Sequence, residues 1–302
     1  MIRLHDHLLP NGITLSCRSA GSAGRPVLMF MHGFPEAAFV WDALLLHFSQ
    51  AEHGGFHCIA PNMRGYERSS APAGAAAYRA KHLTQDIAAL IGEVCGKDGQ
   101  LAALVAHDWG GAVAWNLAAA RPELMARLAI INSPHPGTFL KALQHSPAQQ
   151  AASAYMNFLI RPDAEVLLAE DDYRRLWNLF TGMGAVDGPQ AWLSDTLKEQ
   201  YRAIWRAGLT GALNYYRASP LRPPRAEDPA AAAVTLPPEM LTVKVPTLVL
   251  WATGDTALLP ELIDDLPAFV PQLTLERIDG ATHWIVHEQP ALVQSRLAAF
   301  LR

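Results

Sequence analysis

One aspartate stands in a setting that points to chemistry. The stretch LVAHDWGGAVAW carries Asp108 at the centre of Ala106-His107-Asp108-Trp109-Gly110, a small-x-acid-x-small pattern between an apolar run and a helical one. A turn tight enough to need small residues at both flanks leaves its middle side chain alone above the sheet edge. An aspartate that merely caps the next helix would explain neither the flanks nor the Gly111 that follows. A carboxylate of pKa ~3.9 is ionised at neutral pH and attacks without help from a base. Attack at saturated carbon leaves an alkyl ester on the protein, so epoxides and alkyl halides suit Asp108 better than carboxylic esters or amides.

Hydrolysis of such an ester needs a base, and IDGATHWIVHEQP offers His283 in a loop before the last helix. His287 competes, but it falls where that helix would begin and reads as a surface or capping residue. Asp255, in WATGDTALLP, is the orienting acid, completing the chain order Asp108, Asp255, His283. A plain Asx-turn is its other reading. The alternative position for an acid, after the preceding strand, holds Asn132. A Gly-x-Pro turn in His32-Gly33-Phe34-Pro35 aims the Phe34 N–H at the reaction centre, with the Trp109 N–H as second donor for an oxyanion.

Elements able to position these groups follow from the apolar pattern. Six short runs, at 27–31, 57–60, 101–106, 128–131, 247–252 and 273–278, alternate with Ala/Leu-rich stretches. This alternation predicts a mostly parallel sheet with helices on both faces, in the α/β class. Two earlier runs around Asn11-Gly12 predict an antiparallel entry hairpin with a type I′ turn, making eight strands. Aromatic-rich helical segments take over from about Phe139 to Tyr216, and the Pro/Ala-rich SPLRPPRAEDPAAAAVTLPPEM then reads as a return linker across the surface. The expected division is a core at 1–136 and 238–302, with a helical cap and its linker at 137–237.

The chain has 302 residues, net charge −4 and scattered basic residues, which argues against nucleic acid and anionic lipid as partners. The N-terminus lacks an apolar leader and no stretch is long enough to span a membrane, so a cytoplasmic protein with a small-molecule substrate is expected. Cys17, Cys58 and Cys95 are far apart, without a CxxC or a histidine at metal spacing, so they read as reduced, packed thiols. No metal and no cofactor is expected; a homodimer is compatible with the sequence.

Taken together, HGFPE at 32–36, NMRGYERSSAP at 62–72, HDWGG at 107–111 and GATHW at 280–284 resemble the epoxide hydrolase branch of the α/β-hydrolase superfamily, over nearly the whole chain. Asn62 departs from the usual Asp and Glu67 from the usual Gly. The resemblance implies two cap tyrosines that hydrogen-bond the epoxide oxygen, matching Tyr155 in SAYMNFLIRPDAE and Tyr216 in LNYYRAS. Tyr215 would point about 100° away on a helix and could not share that role. Other cap aromatics, Phe158, Trp177, Phe180, Trp192 and Trp205, read as packing. His32, Pro35, His107, Met156 and Trp284 complete the expected substrate pocket.

Three related chemistries compete with epoxide opening. Haloalkane dehalogenases share the aspartate and the following tryptophan, but often carry an Asn where Phe34 stands. Fluoroacetate dehalogenases hold a carboxylate with arginines near the nucleophile, whereas Trp-Gly-Gly-Ala-Val-Ala follows Asp108, and Tyr155-Met156 replaces their His-Trp. A carboxylesterase and a non-catalytic binding protein are the remaining alternatives.

Overall fold

The computed structural model describes residues 1–185 and 192–302. Its eight strands are β1 Arg3–Leu8, β2 Thr14–Ala20, β3 Val27–Met31, β4 His57–Pro61, β5 Ala103–His107, β6 Leu128–Ile131, β7 Thr247–Ala252 and β8 Leu273–Ile278. They form one sheet in the order β1-β2-β4-β3-β5-β6-β7-β8. Strands β3 to β8 run parallel, and β2 is antiparallel to both β1 and β4.

The parallel strands are apolar because both faces are covered. Leu28 and Phe30 of β3 pack on one side with α1 (Asp42–Phe48) and the C-terminal helix, while Val27, Met29 and Met31 pack on the other with α2 (Ala80–Cys95) and α3 (Asp108–Ala120). Cys17 and Cys58 are buried free thiols and Cys95 is half-buried.

The entry hairpin forms, but not through a type I′ turn. Gly12 N–H donates to the Leu9 carbonyl at 2.9 Å, and of the two central candidates only Gly12 has a left-handed φ (80°). Pro10 sets the first corner with its fixed φ, which a type I′ turn does not tolerate, and Gly12 takes the left-handed position after it.

Among the described residues six α-helices separate β6 from β7: α4 Pro136–His145, α5 Pro147–Ala152, α6 Tyr155–Leu159, α7 Ala164–Gly182, α8 Asp195–Ala207 and α9 Thr210–Ala218. Helix α7 is broken at Glu170–Tyr173, where Asp171, Asp172 and Tyr173 have φ of 50°, 55° and 61°. The Pro-rich stretch after α9 does more than return the chain. Its short 3-10 turn at Pro238–Met240 packs beside α3, and Leu221, Leu236 and Met240 face an internal cavity. Two helices close the chain, α10 Ile285–Glu288 and α11 Pro290–Leu301. Among the described residues no helix is long and apolar enough to cross a membrane.

The two departures at 62–67 have visible consequences. Asn62 Oδ1 accepts the Ala38 N–H at 2.8 Å, a bond an aspartate oxygen would also make. Glu67 is exposed and sits at φ 48°, a conformation that favours glycine.

Candidate active site

Strand β5 ends at His107 and α3 begins at once with Asp108, whose φ is 49°. That left-handed corner lifts the carboxylate above the sheet edge and needs space on both sides. A Cβ added to Gly33 would lie 2.4 Å from Asp108 Oδ1, and one on Gly110 would lie 2.5 Å from the Met31 carbonyl oxygen. Both glycines are steric requirements of the turn. Ser133 Oγ donates to the Asp108 carbonyl at 2.6 Å and fixes the corner from the β6 side.

Around the carboxylate the groups converge from four loops. Phe34 N–H donates to Asp108 Oδ1 at 2.7 Å. The Trp109 N–H belongs to the first turn of α3, where amides have no partner within the helix. His283 Nε2 lies 3.8 Å from Asp108 Oδ2, and its Nδ1 lies 2.6 Å from Asp255 Oδ2. Asp255 is fully supplied with donors: Ala257 and Leu258 N–H on Oδ1 at 2.9 and 3.0 Å, and Asn132 Nδ2 on Oδ2 at 2.9 Å. Asn132 therefore occupies the alternative acid position as a clamp, and its Oδ1 in turn accepts the Ala252 N–H at 2.9 Å.

Electrostatics follow from this arrangement. Burial alone would raise the pKa of Asp255, but the His283 charge and the donated hydrogen bonds outweigh it and hold Asp255 ionised. Burial alone would lower that of His283; Asp255, Asp108 and Glu36 overcome it and push His283 up to about 9.

Tyr155 and Tyr216 come from α6 and α9 and line a cavity of about 230 Å³ together with Asp108 and Trp109. Their ring centroids are 6.2 Å apart, and Tyr216 lies edge-on to Phe34 and Trp109 at 5.2 and 5.0 Å. Burial, with Asp108 nearby, raises both phenols, so they remain protonated donors. Tyr215 lines the cavity too, but its hydroxyl donates to the Arg64 carbonyl at 2.9 Å.

Of the expected pocket residues Met156 lines the cavity, and His32, Pro35, His107 and Trp284 do not. They lie behind it. His32 Nε2 accepts the Met63 N–H at 3.1 Å, the Pro35 carbonyl accepts from Trp205 Nε1 at 2.8 Å, and Trp284 stacks on Phe180 at 4.3 Å. His107 Nε2 donates to the His283 carbonyl at 2.9 Å, bracing the loop that carries this imidazole.

Beneath the site lies a buried cluster that sequence spacing did not reveal. Glu36, 1% exposed, accepts from Tyr201 Oη at 2.7 Å and from His287 Nε2 at 2.6 Å, and its Oε2 lies 3.6 Å from His107 Nδ1. His287 is thus a hydrogen-bond partner of a buried carboxylate, not a surface or capping residue; the four residues of α10 turn it inward, where Trp192 stacks on it at 4.0 Å. Burial would raise the Glu36 pKa, but His287 and His107 bring it well below the usual carboxylate range. Among the described residues no group of His, Cys, Asp and Glu could hold a metal ion.

A family model described as the alpha/beta hydrolase fold matches residues 26–290. A solved structure described as one of the "novel epoxide hydrolases belonging to the alpha/beta hydrolases superfamily in metagenomes from hot environments" superposes with a TM-score of 0.85 and 36% identity, covering 100% of this chain and 99% of that one. The chain belongs to the epoxide hydrolase branch of the α/β-hydrolase superfamily. Similarity to the epoxide hydrolase of Caballeronia sordidicola is 31% identity, over 97% of this chain and 92% of that protein. The AB hydrolase superfamily protein YfhM of Bacillus subtilis is 34% identical, over 97% and 96%. For this α/β-hydrolase the shared fold accounts for the sheet, the inserted helices and the corner at Asp108.

Proposed function

We propose that the protein hydrolyses an epoxide to a vicinal diol through a covalent ester on Asp108. Support comes above all from one juxtaposition: the Asp108 carboxylate shares a single apolar cavity with the Tyr155 and Tyr216 phenols and has His283 Nε2 3.8 Å away. Helices 137–237 act as the cap and the remainder as the core.

In the first step Asp108 attacks a ring carbon, the carbon–oxygen bond of the ring breaks, and a proton from the phenols neutralises the departing alkoxide. The ester has lost one of the negative charges that held His283 protonated, so the imidazolium gives its proton back, through solvent, to the phenolate left by ring opening and is then free to act as a base. His283 takes a proton from water, whose oxygen adds to Asp108 Cγ, and the Phe34 and Trp109 N–H groups hold the resulting oxyanion. Collapse releases the diol and restores the carboxylate, which now carries one oxygen from water.

A haloalkane would need halide donors on that same wall, but there Phe34 presents a ring packed against Tyr216. The protein is further proposed to act in the cytoplasm on a small molecule. A single turnover in ¹⁸O water tests the mechanism: label is expected in Asp108 and absent from the first diol. Label in the first diol would exclude the ester.

A further inference from the structure

Helix α3 offers the cavity one continuous face. Trp109, Ala112, Val113 and Asn116 all line it, and spacings of three, four and seven residues put them on one stripe of a helix. This stripe begins beside Asp108 and ends at Asn116, roughly 10 Å along the axis. Ala112 contributes only a methyl group, which leaves a groove along α3 that Tyr78, Ala80 and Leu83 also line.

Two observations set the character of what fits there. Among the described residues the cavity wall holds no Lys, Arg, His or Glu, and Asp108 is its one charged side chain. A charged tail would lose its hydration without compensation. Asn116 then interrupts the apolar stripe. Its Nδ2 donates to the Ala112 carbonyl at 2.7 Å, which anchors the amide and leaves Oδ1 and the second amide hydrogen without another partner among the described residues.

Building on the epoxide reading, we infer that the substrate is a neutral epoxide whose apolar tail lies along this face of α3 and ends in an uncharged hydrogen-bonding group held by Asn116. Asn116 is then a specificity residue, remote from the bonds that change.

A matched pair of terminal epoxides with equal numbers of heavy atoms, 1,2-epoxynonane and 7,8-epoxyoctan-1-ol, tests this. The ratio of their kcat/KM values cancels effects on ring opening itself. Asn116→Leu is expected to shift the ratio about ten-fold toward the alkyl epoxide, the worth of one hydrogen bond; an unchanged ratio overturns the assignment. Ala112→Phe, which fills the groove, should lower kcat/KM for both long epoxides at least ten-fold relative to 1,2-epoxypropane, and an equal effect on all three would remove the tail from this face. Should the wild type open no epoxide at all, the reaction assigned above fails, and the groove is judged separately by calorimetric binding of octane-1,2-diol and octane-1,2,8-triol. Selective weakening of the triol by Asn116→Leu supports the groove; equal binding of the two compounds to both proteins refutes it.

Discussion

His283 Nε2 faces Asp108 Oδ2 at 3.8 Å, close enough for strong electrostatic coupling and too far for a hydrogen bond. A base that was hydrogen-bonded to the nucleophile would compete with the epoxide for it. In the proposed mechanism this separation leaves the carboxylate free to attack and reserves the imidazole for the second step.

His283→Gln should therefore open the ring and stop. The expected result is a stoichiometric mass adduct on the peptide containing Asp108, with turnover reduced by roughly 10²–10⁴-fold, the usual contribution of a positioned base. Absence of an adduct with an epoxide that the wild type consumes would remove His283 from the role.

Replacing the phenols separates the other half of the reaction. Tyr155→Phe or Tyr216→Phe should slow ester formation about 10-fold to 100-fold, and the double variant should nearly abolish it, because each phenol is one donor to the same oxygen. Rapid-quench measurement of ester formation reads this directly. A double variant with a near-normal rate would contradict the assignment.

Stability should peak near neutral pH. His283 is raised from 6.5 to about 9, so its stabilisation is complete below pH 6.5 and lost as pH climbs through 9. His32 and His135, depressed by burial to about 4, act in the opposite sense, and their stabilisation fades as pH falls below 6.5. Urea titrations should show a loss of up to about 3 kcal/mol between pH 6.5 and 9, which Asp255→Asn should flatten. An equal slope in that variant would sever the link to the His283–Asp255 pair.

Glu36→Ala should destabilise the fold by about 3–5 kcal/mol, since it strips Tyr201 and His287 of a buried charged acceptor. Thermal melts give the answer, and a loss below ~1 kcal/mol would mean that the cluster rearranges freely.

Glu67→Gly is expected to stabilise by about 0.5–1 kcal/mol. Relief of a left-handed φ exceeds the added flexibility of the unfolded chain. Denaturation midpoints showing a loss would indicate that the Glu67 side chain contributes more than the strain it carries.

What the sequence disclosed follows from locality. Strands such as VLMFM and TLVLWA are legible because burial on both faces demands unbroken apolar runs. The corner at Asp108 is legible because its small flanks are sterically obligatory. Glu36, His107, Tyr201 and His287 are far apart in the chain and meet only in the folded interior, so no spacing announces them. The inward role of His287 is hidden for the same reason: its local context is a helix start, while its partner lies in the loop after β3. At the hairpin Asn11-Gly12 was legible as a turn, but the geometry belonged to Pro10 beside it.

The carboxylate and the imidazole come from loops at the sheet edge, whereas the two phenols ride on α6 and α9, between β6 and β7. In the proposed mechanism, attack and proton donation are thus housed in separately encoded parts of the molecule. Grafting a foreign set of helices between those strands could redirect the enzyme to other ring systems while its hydrolytic half survived intact, making the insertion a natural unit of exchange for both evolution and engineering.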